Sequence, residues 1–264
     1  MKKIKIRVEN LHKTFREEEV LKGITCDFEA GKTHAIVGNN GSGKSVLFKC
    51  ICGFIKPTEG TITIDDKVIG KDVDFPESMG MIIERPGFLP NMSGFRNLKL
   101  LAEIQGKITD TEIRNTISRV GLDPDSKKAV AKYSLGMKQR LGIAQAIMEN
   151  PDLLILDEPF NGLDKKGVEE IRSLIMDLKK EGKTILLTSH NSEDICVLAD
   201  VVWEMDGGCL IHYFVVASRS MRKRWYPVCA RCHDAEVLRQ SDFPKDERDS
   251  AQNSLRSNSF TPSL

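Results

Sequence analysis

The chain has 264 residues, with 39 basic and 38 acidic side chains, a formal net charge of +1 and 40% hydrophobic residues. That length can bury a substantial core. The near-neutral balance gives no field to recruit nucleic acid, and no apolar run is long enough to cross a bilayer. The seven cysteines are odd in number and mostly scattered, which suits free thiols in a reducing, cytosolic compartment. The basic start, MKKIKIRVEN, lacks the apolar stretch of a signal peptide.

In chain order, Ile4, Ile6 and Val8 alternate with charged residues, as in a half-exposed strand. Residues 1–30 and 59–83 are strand-rich, with turn signals at Glu59-Gly60 and Asp65-Asp66. They predict an antiparallel subdomain. Thr33–Val37 (THAIV) predicts a buried strand. Directly after it, residues 38–45 read GNNGSGKS and match G-x-x-x-x-G-K-[ST], a phosphate-binding P-loop. Gly38 and Gly43 are expected to bend where a Cβ would clash. The backbone N–H groups of Gly38, Asn39, Asn40, Gly41, Ser42 and Gly43 then form an anion nest. Lys44 is placed to reach the β/γ-phosphates and Ser45 to ligate Mg²⁺. A helix over Lys44–Cys52 points its positive end at the same phosphates, and Gly53 and Pro57 end it.

Residues 85–150 predict helices. Leu98, Leu101 and Ala102 share one face of Asn97–Ile104, and Ile113, Ile117 and Val120 share one face of Asp110–Val120. Ser134 is a good N-cap for a third helix, whose buried face carries Leu141, Ala144, Ile147 and Met148. Leu153-Leu154-Ile155-Leu156 reads as a strand buried on both faces of a parallel sheet. Asp157 and Glu158 follow at its C-terminal end, where open α/β sheets bind ligands. Asp157 is placed to hold Mg²⁺, and Glu158 to polarise a water as general base. Val168–Lys179 predicts an amphipathic crossover helix. Thr184–Thr188 predicts another core strand, and His190 just beyond it is placed to face the same phosphates.

With these segments assembled, the chain resembles the ATP-binding subunit of an ABC transporter, over roughly residues 3–210. Tyr-Ser-Leu-Gly-Met-Lys-Gln-Arg (133–140) is similar to the family signature, with Ser134 and Gly136 matching it and Leu135 and Met137 departing from it. Asn161-Gly162-Leu163-Asp164 resembles the family's D-loop. The resemblance implies an α/β fold: a P-loop NTPase core with a mainly parallel sheet, a flanking antiparallel β subdomain and an inserted helical lobe at about 85–150. It implies ATP and Mg²⁺ as ligands. It also implies a homodimer or pseudo-symmetric partner ATPase, in which Ser134, Gly136 and Asp164 lie at the seam of two sandwiched nucleotides. Phe15 stands where the family places an adenine-stacking aromatic, and is otherwise a core residue. Glu84 stands where the family has a Gln that touches Mg²⁺, and the resemblance implies that it keeps an oxygen ligand for the metal; a Glu there is similar to a subgroup handling bacitracin, lantibiotics and similar peptides.

The same resemblance implies membrane permease subunits and a peripheral location on the cytoplasmic face of the membrane. Phe88, Leu89, Met92 and Phe95 are expected to be exposed and to receive a helix of the permease. Other cargoes, such as a lipid, drug or ion, and a soluble ABC ATPase without a permease stand as alternatives. Residues 211–264 lack periodicity and predict a largely disordered tail, in the manner of a foreign or frame-shifted extension. Its basic run at Arg219–Arg224 is expected to be solvated coil. Cys229-Ala230-Arg231-Cys232-His233 matches C-x-x-C-H only formally.

Overall fold

The computed structural model describes residues 4–84, 86–216 and 224–228. Four strands form an antiparallel sheet: β1 (Ile6–Phe15), β2 (Glu18–Phe28), β4 (Glu59–Ile64) and β5 (Lys67–Val68), in the order β2-β1-β4-β5. Seven form a second sheet. These are β3 (Thr33–Val37), β6 (Met79–Ile82), β7 (Leu153–Leu156), β8 (Thr184–Leu187), β9 (Val201–Asp206), β10 (Cys209–Val216) and β11 (Arg224–Val228). Their order is β11-β10-β9-β3-β8-β7-β6. From β6 to β9 every pairing is parallel, and β10 and β11 add on antiparallel.

The parallel strands show why LLIL of β7 is continuously apolar and its neighbours nearly so. Leu153 and Ile155 of β7 point into one core, with Ile36 of β3, Leu186 of β8 and the antiparallel sheet. Leu154 and Leu156 point into the other, with Ala35, Ile185 and Leu187. Successive side chains of a strand face opposite sides, so a sheet covered on both faces needs apolar residues at every position. Helix α1 (Lys44–Ile51) packs Leu47, Phe48 and Ile51 into the first core. The second is covered by α4 (Leu135–Ile147), α5 (Lys165–Lys180) and α6 (Ser192–Leu198), with the lobe helices α2 (Gly94–Gln105) and α3 (Asp110–Arg119) beyond. Each buried Leu or Ile contributes roughly 1.5–3 kcal/mol relative to exposure.

The caps follow the sequence signals. Ser93 caps α2, Thr109 forms a capping box with Glu112 at α3, Ser134 caps α4, and Asp164 caps α5. Three expectations need correction or extension. Residues 59–83 do not all join the antiparallel sheet: β6 pairs parallel with β7, because Met79–Ile82 is flanked by a crossover through the helical lobe. Phe88 and Phe95 are not exposed but half-buried against the helical core, Met92 is also half-buried, and only Leu89 of that set is exposed. The sheet also continues past residue 210 through β10 and β11. The C-x-x-C-H stretch and most of the basic run lie outside the described residues.

Candidate functional site

The C-terminal ends of β3, β7 and β8 lie side by side in the parallel sheet, so the segments that follow them converge. After β3 the chain turns through Gly38, at φ +141°, into the P-loop. A Cβ at Gly38 would sit 2.2 Å from the carbonyl oxygen of Met205 on β9, so only glycine lets the loop approach that strand. Asn40, Gly41, Gly43, Lys44, Ser45 and Val46 line one side of a cleft of about 210 Å³; Asp157, Glu158 and His190 line the other.

Within the cleft, Ser45 Oγ donates to Asp157 Oδ2 at 2.7 Å, and Thr188 Oγ1 donates to Asp157 Oδ1 at 2.7 Å. The Thr188 hydroxyl also accepts from the Glu158 backbone N–H at 2.8 Å. Lys44 Nζ turns back on the loop, donating to the carbonyls of Gly38 and Asn39 at 2.7 and 2.9 Å. The hydroxyl of Ser42 is buried inside the loop, 3.0 Å from where a Cβ on Gly38 would stand, and has no hydrogen-bond partner. Gly41 has open space where a Cβ would stand.

Glu158 takes a left-handed backbone, φ +51°. Burial pushes its carboxyl above the usual carboxylate range; the nearby His190 pulls it back and Asp157 adds to the rise. His190 Nε2 lies 3.3 Å from Glu158 Oε1 without hydrogen-bond alignment. Burial draws the Lys44 ammonium below its ordinary value, opposed by Glu158 and Asp157. A raised carboxylate facing a cation-lined nest is suited to accepting a proton beside a bound phosphate.

The other expected residues fall in three places. Phe15, half-exposed at the end of β1, carries Lys13 Nζ 4.9 Å from its ring centre; it does not line the cleft. Neither do Ser134, Gly136 and Asp164. Ser134 Oγ accepts from Met137 N at 3.2 Å, and Asp164 Oδ1 from Gly167 N at 3.0 Å, both as helix caps. Glu84, at φ +60°, is not gathered with Ser45 and Asp157. Its carboxylate meets Lys49 Nζ at 2.5 Å. Lys49 stands one helical turn after Ser45 on α1 and pairs with this largely exposed carboxylate.

The signature's departure at Leu135 also has a structural reason. Leu135 lies over Gly162, where a Cβ would meet its Cγ at 2.5 Å. Sequence reading also missed Thr188 as a pin for Asp157, and Ser189, whose hydroxyl donates to buried Asp194 at 2.7 Å. Arg172 holds that Asp194 in turn, at 2.5 Å.

The sequence pattern described as "ABC transporter" matches residues 21–161. The uncharacterized ABC transporter ATP-binding protein YybJ of Bacillus subtilis (strain 168) is 47% identical over 78% of this chain and 94% of its own length. The bacitracin transport ATP-binding protein BcrA of Enterococcus faecalis is 40% identical, over 84% and 72% respectively. The lantibiotic transport ATP-binding protein SrtF of Streptococcus pyogenes is 36% identical, over 75% and 85%. Among solved structures, a dimeric post-hydrolysis state of the ATP-binding cassette MJ0796 bound to ADP and Pi superposes with a TM-score of 0.71 at 22% identity, covering 78% of this chain and 96% of that one. The cbiO1 component of the cbiONQ ABC transporter complex from Clostridium perfringens gives 0.68 at 31% identity, covering 80% and 88%. The chain belongs to the ABC transporter family, as an ATP-binding cassette with ATPase activity.

Proposed function

We propose that two copies of this chain, or one copy and a similar ATPase, close around two ATP molecules and use their hydrolysis to drive a membrane permease. The observation that carries this reading is the convergence of Lys44, Ser45, Asp157, Glu158 and His190 on one cleft. Lys44 exchanges its two loop carbonyls for the β- and γ-phosphate oxygens, and the P-loop N–H groups hold the rest. Phe15, at the tip of the β1–β2 hairpin, stacks on the base. Ser45 and Asp157 supply hard oxygen ligands of the kind Mg²⁺ takes, and bound Mg²⁺ would neutralise charge developing on the phosphates. Glu158 accepts the proton of the attacking water, and His190 bonds a γ-phosphate oxygen.

Ser134 and Gly136 of each chain contact the nucleotide of the partner, with Asp164 at the seam. The dimeric form of MJ0796, bound to ADP and Pi, supports such a pairing. Glu84, paired to Lys49, is left out of the ligand set proposed here. Among the described residues no helix is long and apolar enough to cross a membrane. A permease supplied by other chains would therefore hold the cassette at the cytoplasmic face.

The cargo class we infer is a peptide antibiotic, exported or excluded for self-protection. Relatives named for bacitracin and lantibiotic transport support it. The test is phosphate release by the purified chain. Glu158→Gln should bind ATP and slow turnover strongly; wild-type turnover in that variant would remove Glu158 from its role. For the cargo, expression with the cognate permease should raise bacitracin or lantibiotic tolerance, and unchanged tolerance to both would redirect the assignment.

A further inference from the structure

Glu158 has an uncommon backbone for a non-glycine residue, φ +51°, and such strain persists only where neighbours hold it. Its N–H is bonded to Thr188 Oγ1 at 2.8 Å. Its carbonyl accepts from Asn161 N at 3.2 Å, within the same turn, and from Gln139 Nε2 at 3.2 Å. Gln139 is 6% exposed and lies on α4, the helix that begins at Ser134. A second contact joins the same two segments. A Cβ on Gly136 would stand 2.7 Å from the carbonyl oxygen of Gly162, so α4 lies directly against the turn that Glu158 opens.

We propose that Gln139 is a positioning residue for hydrolysis: its amide fixes the Glu158 backbone to α4, so the helix that reads the partner's nucleotide at its first turn also aims this chain's own base. This rests on the dimeric reading above. Ser134 at the cap and Gln139 in the second turn belong to one rigid element. A shift of α4 on closure therefore moves the Glu158 carboxylate without any group crossing the cleft. Each nucleotide then reports to the opposite site through backbone geometry.

The test is Gln139→Leu in the full chain, with Gln139→Met as a second replacement that also lacks the donor, each assayed for ATP binding, steady-state hydrolysis and thermal midpoint. The proposal expects kcat to fall roughly 10- to 100-fold, the cost of a misplaced catalytic group. KM should stay within about twofold, and the cooperativity of hydrolysis in ATP should be lost. Placed on Glu158→Gln, the same replacement should cause no further loss, since both act through one group. An unchanged kcat in a variant that binds ATP would overturn the proposal. So would a loss that adds in full to that of Glu158→Gln, or one that scales with a lowered thermal midpoint in both replacements. A wild-type chain that does not hydrolyse ATP would instead sink the functional reading.

Discussion

Replacing Gly162 by Ala tests whether the bulky residue in the signature and the glycine of the following loop are one adaptation. Gly162 sits at φ +75°, where an L-residue is strained, and its new methyl would lie 2.5 Å from Leu135 Cγ and 2.6 Å from Cδ2. The backbone term is about 1–2 kcal/mol. Leu135 is 57% exposed, so it can rotate away, and the collision costs no more than an off-rotamer side chain and lost packing, about 1–1.5 kcal/mol. Gly162→Ala should therefore destabilise the wild-type chain by about 2–3.5 kcal/mol, and a Leu135→Ala chain by only about 1–2. Leu135→Ala alone, at a largely exposed position, should stay within about 0.5 kcal/mol. Urea denaturation of the four proteins gives the coupling directly. An equal cost of Gly162→Ala in both backgrounds would refute the steric account of the Leu135–Gly162 pair.

Three further expectations concern charge. His34 is fully buried, with Nε2 donating to the Glu29 carbonyl at 2.9 Å and Nδ1 accepting from Trp203 Nε1 at 3.3 Å. Burial lowers its pKa from 6.5 to about 4. Between those values the unfolded chain takes up a proton that the folded chain refuses. Stability should therefore fall by about 3 kcal/mol as pH drops through that window, and His34→Gln should flatten the loss in pH-dependent denaturation. Because burial raises the Glu158 pKa, hydrolysis should decline on acidification at a higher pH than an ordinary glutamate base gives, and a rate flat through the weakly acidic range would contradict this. Lys49→Ala removes the partner of a largely exposed Glu84 carboxylate and should cost at most about 1 kcal/mol in urea denaturation, with ATP affinity unchanged by calorimetry; a larger loss would contradict the reading of the pair as a surface ion pair.

The parallel core and the cleft were legible because their signals are local. LLIL is apolar at every position, and THAIV and TILL are mostly so, a pattern that a sheet covered on both faces favours, and each is followed by the residues it presents. Ser134 declared itself as a cap by residue type and place, whereas Asp164, read from the resemblance as a seam residue, also caps α5. What stayed hidden depends on long-range pairing. Met79–Ile82 reads as one more strand of its neighbourhood, and only its register against Leu153–Leu156 assigns it to the parallel sheet. Phe88 and Phe95 are apolar whether they face a partner or their own lobe, so residue type alone does not choose. The Lys49 partner of Glu84 and the Gln139 bond to Glu158 join residues 35 and 19 positions apart, with nothing in the intervening sequence to announce them.

In this mechanism triphosphate joins two cassettes and its cleavage parts them. Light scattering of Glu158→Gln with and without ATP and Mg²⁺ tests it most directly. The mass should double on addition, with one nucleotide per chain, and Ser134→Arg should prevent the doubling while leaving ATP bound. A chain that binds ATP yet keeps its monomer mass, both alone and reconstituted with its permease, would contradict the account.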